Sequence, residues 1–186
     1  MMDKIYNIAL LGAGRIGQVH AANIAAHPLS RLSIVVDPQE GIALQLAEAY
    51  GASVSSLEDA LSRTDIDAIV IASATSTHAD LIERGIRAGK AVFCEKPVDL
   101  SISRVNATLE AIKGQENRLF VAFNRRFDPA VAELKRRLDA GVIGDLELVT
   151  VVSKDPGALP IDYIKVSGGM FRDMTIHDFD MARFIL

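Results

Sequence analysis

Residues Gly12-Ala13-Gly14-Arg15-Ile16-Gly17 form the pattern G-x-G-x-x-G, in which backbone-only positions leave room for a charged ligand. Gly12 permits a tight turn, Gly14 lets the backbone approach a pyrophosphate, and Gly17 lets a following helix pack closely on a preceding strand. Free N–H groups at the start of that helix, and the positive end of its dipole, would meet the phosphate charge. Steric demands alone also produce glycine-rich turns, so the pattern gains force from its context. Asp37 supplies that context: it lies twenty residues beyond Gly17, where a carboxylate can accept from both hydroxyls of an adenosine ribose. A 2′-phosphate there would meet a like charge, which favours NAD over NADP, although Arg31 or a loop residue could still accommodate one. Asp37 also precedes Pro38, so a turn-forming role is the competing reading.

Two further groups could move a proton. Lys96, in Glu95-Lys96-Pro97, could donate to a substrate hydroxyl and stabilise the alkoxide that forms as hydride leaves. An exposed solubilising lysine is the alternative. In residues 168–180 (GGMFRDMTIHDFD), Asp173, His177 and Asp180 fall at i, i+4 and i+7 and would share one face of a single helix. Histidine accepts a hydroxyl proton near neutral pH, and a nearby carboxylate stabilises the imidazolium. A polar helix stripe without chemistry would have the same spacing. Three such side chains could also hold zinc, but no H-E-x-x-H or cysteine cluster accompanies them, so no metal is expected. The single cysteine, Cys94, sits in an apolar run and reads as a buried thiol, not a nucleophile.

These residues fall at the ends of regular elements. Strands are predicted at residues 4–11, 32–36, 67–72, 91–94 and 119–123, each an apolar run bounded by turn residues. Helices are predicted at 16–26, 43–50, 78–88, 101–113 and 128–140. Gly51 stands at the C′ position of the second of these, and Asp128-Pro129 opens the last. Ser55-Ser56-Leu57-Glu58-Asp59 has the spacing of a capping box and opens another short helix. Strand–helix–strand alternation at this spacing implies α/β architecture: a doubly wound parallel sheet of Rossmann type with right-handed crossovers. The acid, the lysine motif and the glycine turn would then share the carboxyl edge of that sheet, where ligands of such folds bind. Beyond Gly144 the character changes, with a β-branched strand expected at 147–153, an irregular loop at 155–160 and a final helix after Gly168-Gly169. A domain boundary is placed near 123–128, giving a dinucleotide-binding domain over 1–124 and the start of a second domain over 125–186.

Composition narrows the partners. With 49% hydrophobic and 24% charged residues, the 186-residue chain has the make-up of a globular protein of one domain and part of a second. A formal net charge of −4 gives no reason to expect nucleic acid or an anionic membrane. No apolar run approaches a membrane span, and residues 8–11 are too short for a secretory signal. One cysteine allows no internal disulfide, so a reducing, cytoplasmic setting is expected.

Taken together, GAGRIG, Asp37, EKP and GGMFRDMTIHDFD, in this order along essentially the whole chain, resemble the Gfo/Idh/MocA oxidoreductase family. Residues 123–129 (FNRRFDP) resemble the family's inter-domain segment. Residues 153–156 (SKDP), 161–165 (IDYIK) and the closing HDFDMARFIL are most similar to its inositol-oxidising members. The resemblance implies oxidation of a ring CH–OH of a cyclic polyol, myo-inositol, to a ketone, with hydride passing to NAD. Another sugar substrate, or an NAD-binding module without catalysis, are the alternatives. By motif, the resemblance implies that Lys96 steadies the reacting oxygen, His177 takes the hydroxyl proton and Asp173 orients the pair. Asp180 would bind further hydroxyls, and Arg125 and Asp155 would contact substrate. The cofactor would be held by Gly12, Gly14, Arg15, Ile16, Gly17, Asp37, Glu95 and Lys96, with Ser73, Thr75 and His78 lining its nicotinamide side. His78 reads equally well as a helix-start residue with no chemical role. Family members continue beyond the position of Leu186 with a mixed α/β domain that supports substrate and subunit contacts. The substrate and oligomerisation domain is therefore expected to be incomplete, which leaves a homo-oligomer open while largely removing the sheet that would build it. Met174, Met181, Phe184 and Ile185 are expected to expose an apolar face.

Overall fold

Strands that are apolar at nearly every position need cover on both faces, and the first part of the chain supplies it. The computed structural model describes residues 4–154, 157, 158 and 160–186. The chain divides into two compact units, Met1–Ala122 and Phe123–Leu186. The first unit runs β1 (Tyr6–Leu11), α1 (Arg15–Ala26), β2 (Ser30–Val36), α2 (Glu40–Tyr50), β3 (Ser53–Val54) and α3 (Leu57–Ser62). It continues with β4 (Ala68–Ile71), α4 (Thr75–Arg87), β5 (Ala91–Cys94), α5 (Ile102–Ala111) and β6 (Leu119–Val121). The six strands form one sheet in the order β3-β2-β1-β4-β5-β6, and every pairing is parallel. This is the doubly wound Rossmann arrangement that the alternation of elements predicts.

Period-two alternation divides the sheet between two cores. Along β1, Ala9 and Leu11 join Ile69, Ile71 and Val92 on one face, where Ile82 and Ile86 of α4 cover them. Ile8 and Leu10 join Leu32 and Val35 on the other, under Ala21 of α1 and Ala43, Leu46 and Ala47 of α2. Each large apolar side chain buried here contributes about 2 kcal/mol. Helix ends follow local chemistry. Gly51 adopts φ +66° and returns its N–H to the carbonyls of Ala47 and Glu48, stopping α2. Ser56 caps α3 by accepting from the Asp59 N–H at 3.1 Å. The reciprocal half of the capping box is altered, because the Asp59 carboxylate takes the Ser55 hydroxyl. Several element ends differ from expectation by one to three residues, and one strand is additional. β3 has no counterpart among the predicted strands, since two residues are too few to show a period. Helix α4 begins at Thr75, three residues before the expected start, which puts His78 inside the helix.

The second unit opens with a 3-10 turn, Asn124–Phe127, followed by α6 (Pro129–Asp139). Asp128 caps α6 as its sequence suggests, accepting from Ala130 and Val131 at 2.9 and 3.2 Å, with Pro129 at the first helical position. Then come α7 (Ile161–Val166), α8 (Met170–Asp173) and α9 (Thr175–Ile185). Three expectations are corrected here. Residues 147–153 form no strand, because among the described residues nothing pairs with them, and β-branched composition cannot replace a ladder partner. Residues 170–185 are two helices, not one. Met174 (φ −94°, ψ −60°) ends α8 and begins α9, the Thr175 hydroxyl donates to the Met170 carbonyl, and His177 N–H turns back only three residues, to Met174. Finally, Met181 is buried, and Met174, Phe184 and Ile185 are half-buried, so the apolar face expected there is largely covered.

Candidate functional site

In the first unit, the residues following β1, β2, β4 and β5 meet at the carboxyl edge of the sheet. Gly12 adopts φ +104°, and a Cβ on it would stand 2.6 Å from the Ala72 carbonyl carbon and oxygen. A Cβ on Gly17 would stand 2.0 Å from the Gly12 oxygen. Both glycines are therefore demanded by the chain's own packing. Gly14 is different: a Cβ there meets nothing within 4 Å, and its φ of −68° suits any residue. Gly14 is also the N-cap of α1, where no side chain caps the helix and no acid sits in the first turn. A bare, positively polarised helix start beside an open backbone position fits a pyrophosphate.

Asp37 lies against this loop. One carboxylate oxygen accepts from the Ala13 N–H at 2.7 Å and the other from the Gln39 N–H at 2.8 Å. The Gln39 bond fits the turn-forming reading, and the Ala13 bond sets the carboxylate against the glycine turn. Each oxygen has a second lone-pair direction, enough for the two hydroxyls of a ribose. The glycine turn and the acid that closes β2 thus stand together, as gripping one adenosine diphosphate requires. Arg15 is exposed and Ile16 half-buried in the first turn of α1.

After β4, Ser73 and Thr77 share a hydrogen bond between hydroxyls at 2.6 Å, and Thr75 is half-buried as the first residue of α4. His78 is 2% exposed, which places it below the surface of the cleft it is expected to line. It stands in the first turn of α4, in keeping with its helix-start reading. Its Nδ1 lies 2.8 Å from the Pro97 carbonyl oxygen and its Nε2 3.1 Å from that of Ser73. After β5, the Glu95 N–H continues the ladder to the Ile71 carbonyl at 3.0 Å. The Glu95 carboxylate accepts from His20 Nε2–H at 2.7 Å, with His20 set edge-on to Phe93. Sequence reasoning misses His20, because nothing within α1 signals a partner 75 residues away. Lys96 follows, half-buried. Burial pushes the Cys94 thiol well above its usual range, and the neighbouring Glu95 carboxylate adds to the effect, so Cys94 is no nucleophile.

In the second unit, the break at Met174 means that Asp173 does not share a continuous helix with His177 and Asp180. Asp173, on α8, accepts from the Tyr163 hydroxyl at 2.8 Å. His177 is half-buried in the first turn of α9. Asp180 is 6% exposed and held by Arg126 through both oxygens, with one of the two bonds at 2.8 Å. That pairing leaves Asp180 little to offer a ligand, against the expectation that it binds hydroxyls. Arg126 also lies over the rings of Phe123 and Phe184. Arg125 donates to Asp178 at 2.6 Å and to the Ser153 hydroxyl at 2.9 Å. The Ser153 hydroxyl, then Arg125, hold the Asp178 carboxyl below its ordinary range against the opposing effect of burial. The sequence does not single out Asp178, because single-helix spacing points to its neighbours instead. Asp155 lies outside the described residues. Among the described residues, no group of three or more His, Cys, Asp or Glu side chains is gathered as for a metal ion. No described helix is long and apolar enough to cross a membrane.

Comparison with known proteins gives two family matches. A model described as "Oxidoreductase family, NAD-binding Rossmann fold" covers residues 6–123, and one described as "GFO/IDH/MocA C-terminal domain" covers residues 131–186. Inositol 2-dehydrogenase of Rhizobium meliloti is 54% identical over 177 residues, which are 95% of this chain and 54% of that protein. The crystal structure of a myo-inositol dehydrogenase from Corynebacterium glutamicum superposes with a TM-score of 0.94 at 50% identity, over 98% of this chain and 55% of that one. Scyllo-inositol dehydrogenase from Lactobacillus casei, solved with NAD(H) and scyllo-inositol, gives 0.88 at 33% identity, over 98% and 56%. The chain spans about half the length of the relatives it matches.

Proposed function

The chain belongs to the Gfo/Idh/MocA oxidoreductase family, and from that premise we propose that it serves NAD-dependent oxidation of a ring CH–OH of a cyclic polyol, myo-inositol, to a ketone. The observation that carries this reading is the Ala13–Asp37 hydrogen bond of 2.7 Å. It sets a ribose-reading carboxylate beside a bare helix start, the pairing an adenosine diphosphate needs. Bound NAD would supply the hydride acceptor. Residues 1–124 would bind it, and residues 125–186 would open the substrate domain. Gly14, Arg15, Ile16 and the α1 N-terminus would take the pyrophosphate, Asp37 the adenosine ribose, and the residues after β4 and β5 (Ser73, Thr75, Glu95) the remaining edge.

As the C–H hydride leaves, the hydroxyl must lose its proton and the oxygen gathers negative charge before the C=O forms. We assign the proton to His177, with Asp173 as its orienting carboxylate, fixed in turn by Tyr163. Lys96 donates to the oxygen. Arg125 and Asp155 are proposed substrate contacts, while the ion pair of half-buried Arg126 with buried Asp180 positions α9. Inositol catabolism in a reducing cytoplasm, where the buried Cys94 stays a thiol, completes the reading. Exposed apolar residues such as Leu148, Phe171 and Phe179 support association with further protein, including a second copy.

Calorimetric titration with NAD and NADP, on the wild type and on Asp37→Ala, tests the cofactor half. The wild type is expected to prefer NAD, and the variant to lose that preference. Equal NAD affinity for both proteins would remove the role given to Asp37. A polyol panel with NAD reduction followed by absorbance tests the substrate half, inositols being expected to react ahead of glucose-like sugars.

A further inference from the structure

The loops that follow β4 and β5 are the two that carry Ser73 and Lys96, and one side chain touches both. His78 rises from the first turn of α4, buried to 2% exposure, with its two ring nitrogens 2.8 Å from the Pro97 oxygen and 3.1 Å from the Ser73 oxygen. Pro97 directly follows Lys96 in the chain. Ser73 follows Ala72, the residue against which Gly12 packs so closely that a Cβ has no room. A contiguous path of rigid contacts thus runs from the glycine turn through Ala72-Ser73 to the imidazole, and from there to the backbone beside Lys96.

We propose that His78 is a positioning residue whose ring straps the Ser73 loop to the Lys96-Pro97 loop, so that cofactor seated on the glycine turn also fixes the placement of Lys96. This rests on the reading of Lys96 and the glycine turn given above. The chemistry of the contact supports it. Carbonyl oxygens only accept, so the ring must donate from both nitrogens to hold both loops, and a ring with one hydrogen serves one loop at a time. With a hydrogen on each nitrogen, ordering one loop fixes the ring in the position that holds the other. On the opposite flank, the His20–Glu95 bond fixes the residue before Lys96. Lys96 is thereby held on both sides by neighbours with hydrogen-bond anchors.

Two variants separate the ends of the strap. His78→Asn retains a donor near the Nδ1 position and can keep the Pro97 bond. His78→Gln retains one near Nε2 and can keep the Ser73 bond. Amide hydrogen exchange on this chain, with and without NAD, reads each loop directly, and circular dichroism confirms that each variant is folded. In wild type, NAD should slow exchange at residues 12–18 and at 96–99. In both variants the slowing at 12–18 should persist while that at 96–99 disappears. Without NAD, His78→Gln should exchange about tenfold faster than wild type at 96–99, the effect of one lost buried hydrogen bond, and His78→Asn should stay near wild type. NAD-induced slowing at 96–99 surviving in both variants would overturn the strap, as would equal loosening of both loops by both variants, which is what simple space-filling produces. Wild type that shows no NAD effect at 12–18 would instead overturn the cofactor reading itself, a result recognisable from the first segment alone.

Discussion

Gly14→Ala separates what the chain needs from what its ligand needs. A Cβ at this position meets no atom within 4 Å, and the backbone angles are ordinary for any residue. Alanine is a poorer N-cap than glycine, but it also removes unfolded-state freedom. These effects oppose each other at about 0.5–1 kcal/mol each, so stability should change by less than about 1 kcal/mol. The bound state differs. If a pyrophosphate lies against the Gly14 backbone, the methyl group must be accommodated in an occupied space, at about 1–3 kcal/mol for such overpacking. That range corresponds to NAD binding about 5- to 150-fold weaker. Calorimetric titration measures the affinity, and thermal melting of the same samples measures the stability. NAD affinity equal to wild type, with melting unchanged, would show that no ligand backbone passes this position. A large fall in melting temperature would show that the open space around Gly14 is misjudged.

The neighbouring Gly17→Ala should behave in the opposite way, because its Cβ would stand 2.0 Å from the Gly12 carbonyl oxygen, a backbone atom that cannot swing aside. A loss of about 3 kcal/mol or more is expected in denaturant unfolding, and wild-type stability would refute the packing argument. In the second unit, the Asp178 carboxyl is held below its usual range, mainly by the Ser153 hydroxyl and then by Arg125. A depressed carboxyl stabilises the fold above its unfolded-state pKa, and that contribution is lost as pH falls through the lower folded value. Unfolding midpoints measured from neutral pH down into the acid range should therefore fall more steeply for wild type than for Asp178→Asn. Parallel curves would count against this pairing.

Much of the first unit is legible because its information is local. The apolar runs of β1, β4 and β5, the Gly51 stop and the Ser56 cap each follow from a few consecutive residues. The G-x-G-x-x-G turn also carries its own explanation, and the geometry refines it: Gly12 and Gly17 answer to packing, leaving Gly14 to a ligand. What the spacing cannot show is contact between loops. Asp37 gives no sign of bonding to Ala13, and His78 gives none of reaching both Ser73 and Pro97. A histidine near a helix start looks the same whether it faces a cleft or is buried between two carbonyls.

The second unit is harder to read for a related reason. Counting i, i+4 and i+7 from Asp173 presumes an unbroken helix, yet one hydroxyl, that of Thr175, accompanies a break at Met174 without changing any spacing in the sequence. The side chains there are then arranged by partners far along the chain: Arg125 meets Ser153 and Asp178 across 28 and 53 positions, and Arg126 meets Asp180 across 54. Ion pairs of that reach leave no periodic trace, because either partner alone reads as a solvated charge. The arginines of the Phe123–Pro129 segment thus anchor the helix that carries His177. This is why Asp180, which the spacing groups with His177, and Asp178, which it does not, are both explained as the means by which α9 is held, whereas Asp173 stands on a separate helix with a tyrosine hydroxyl donating to it.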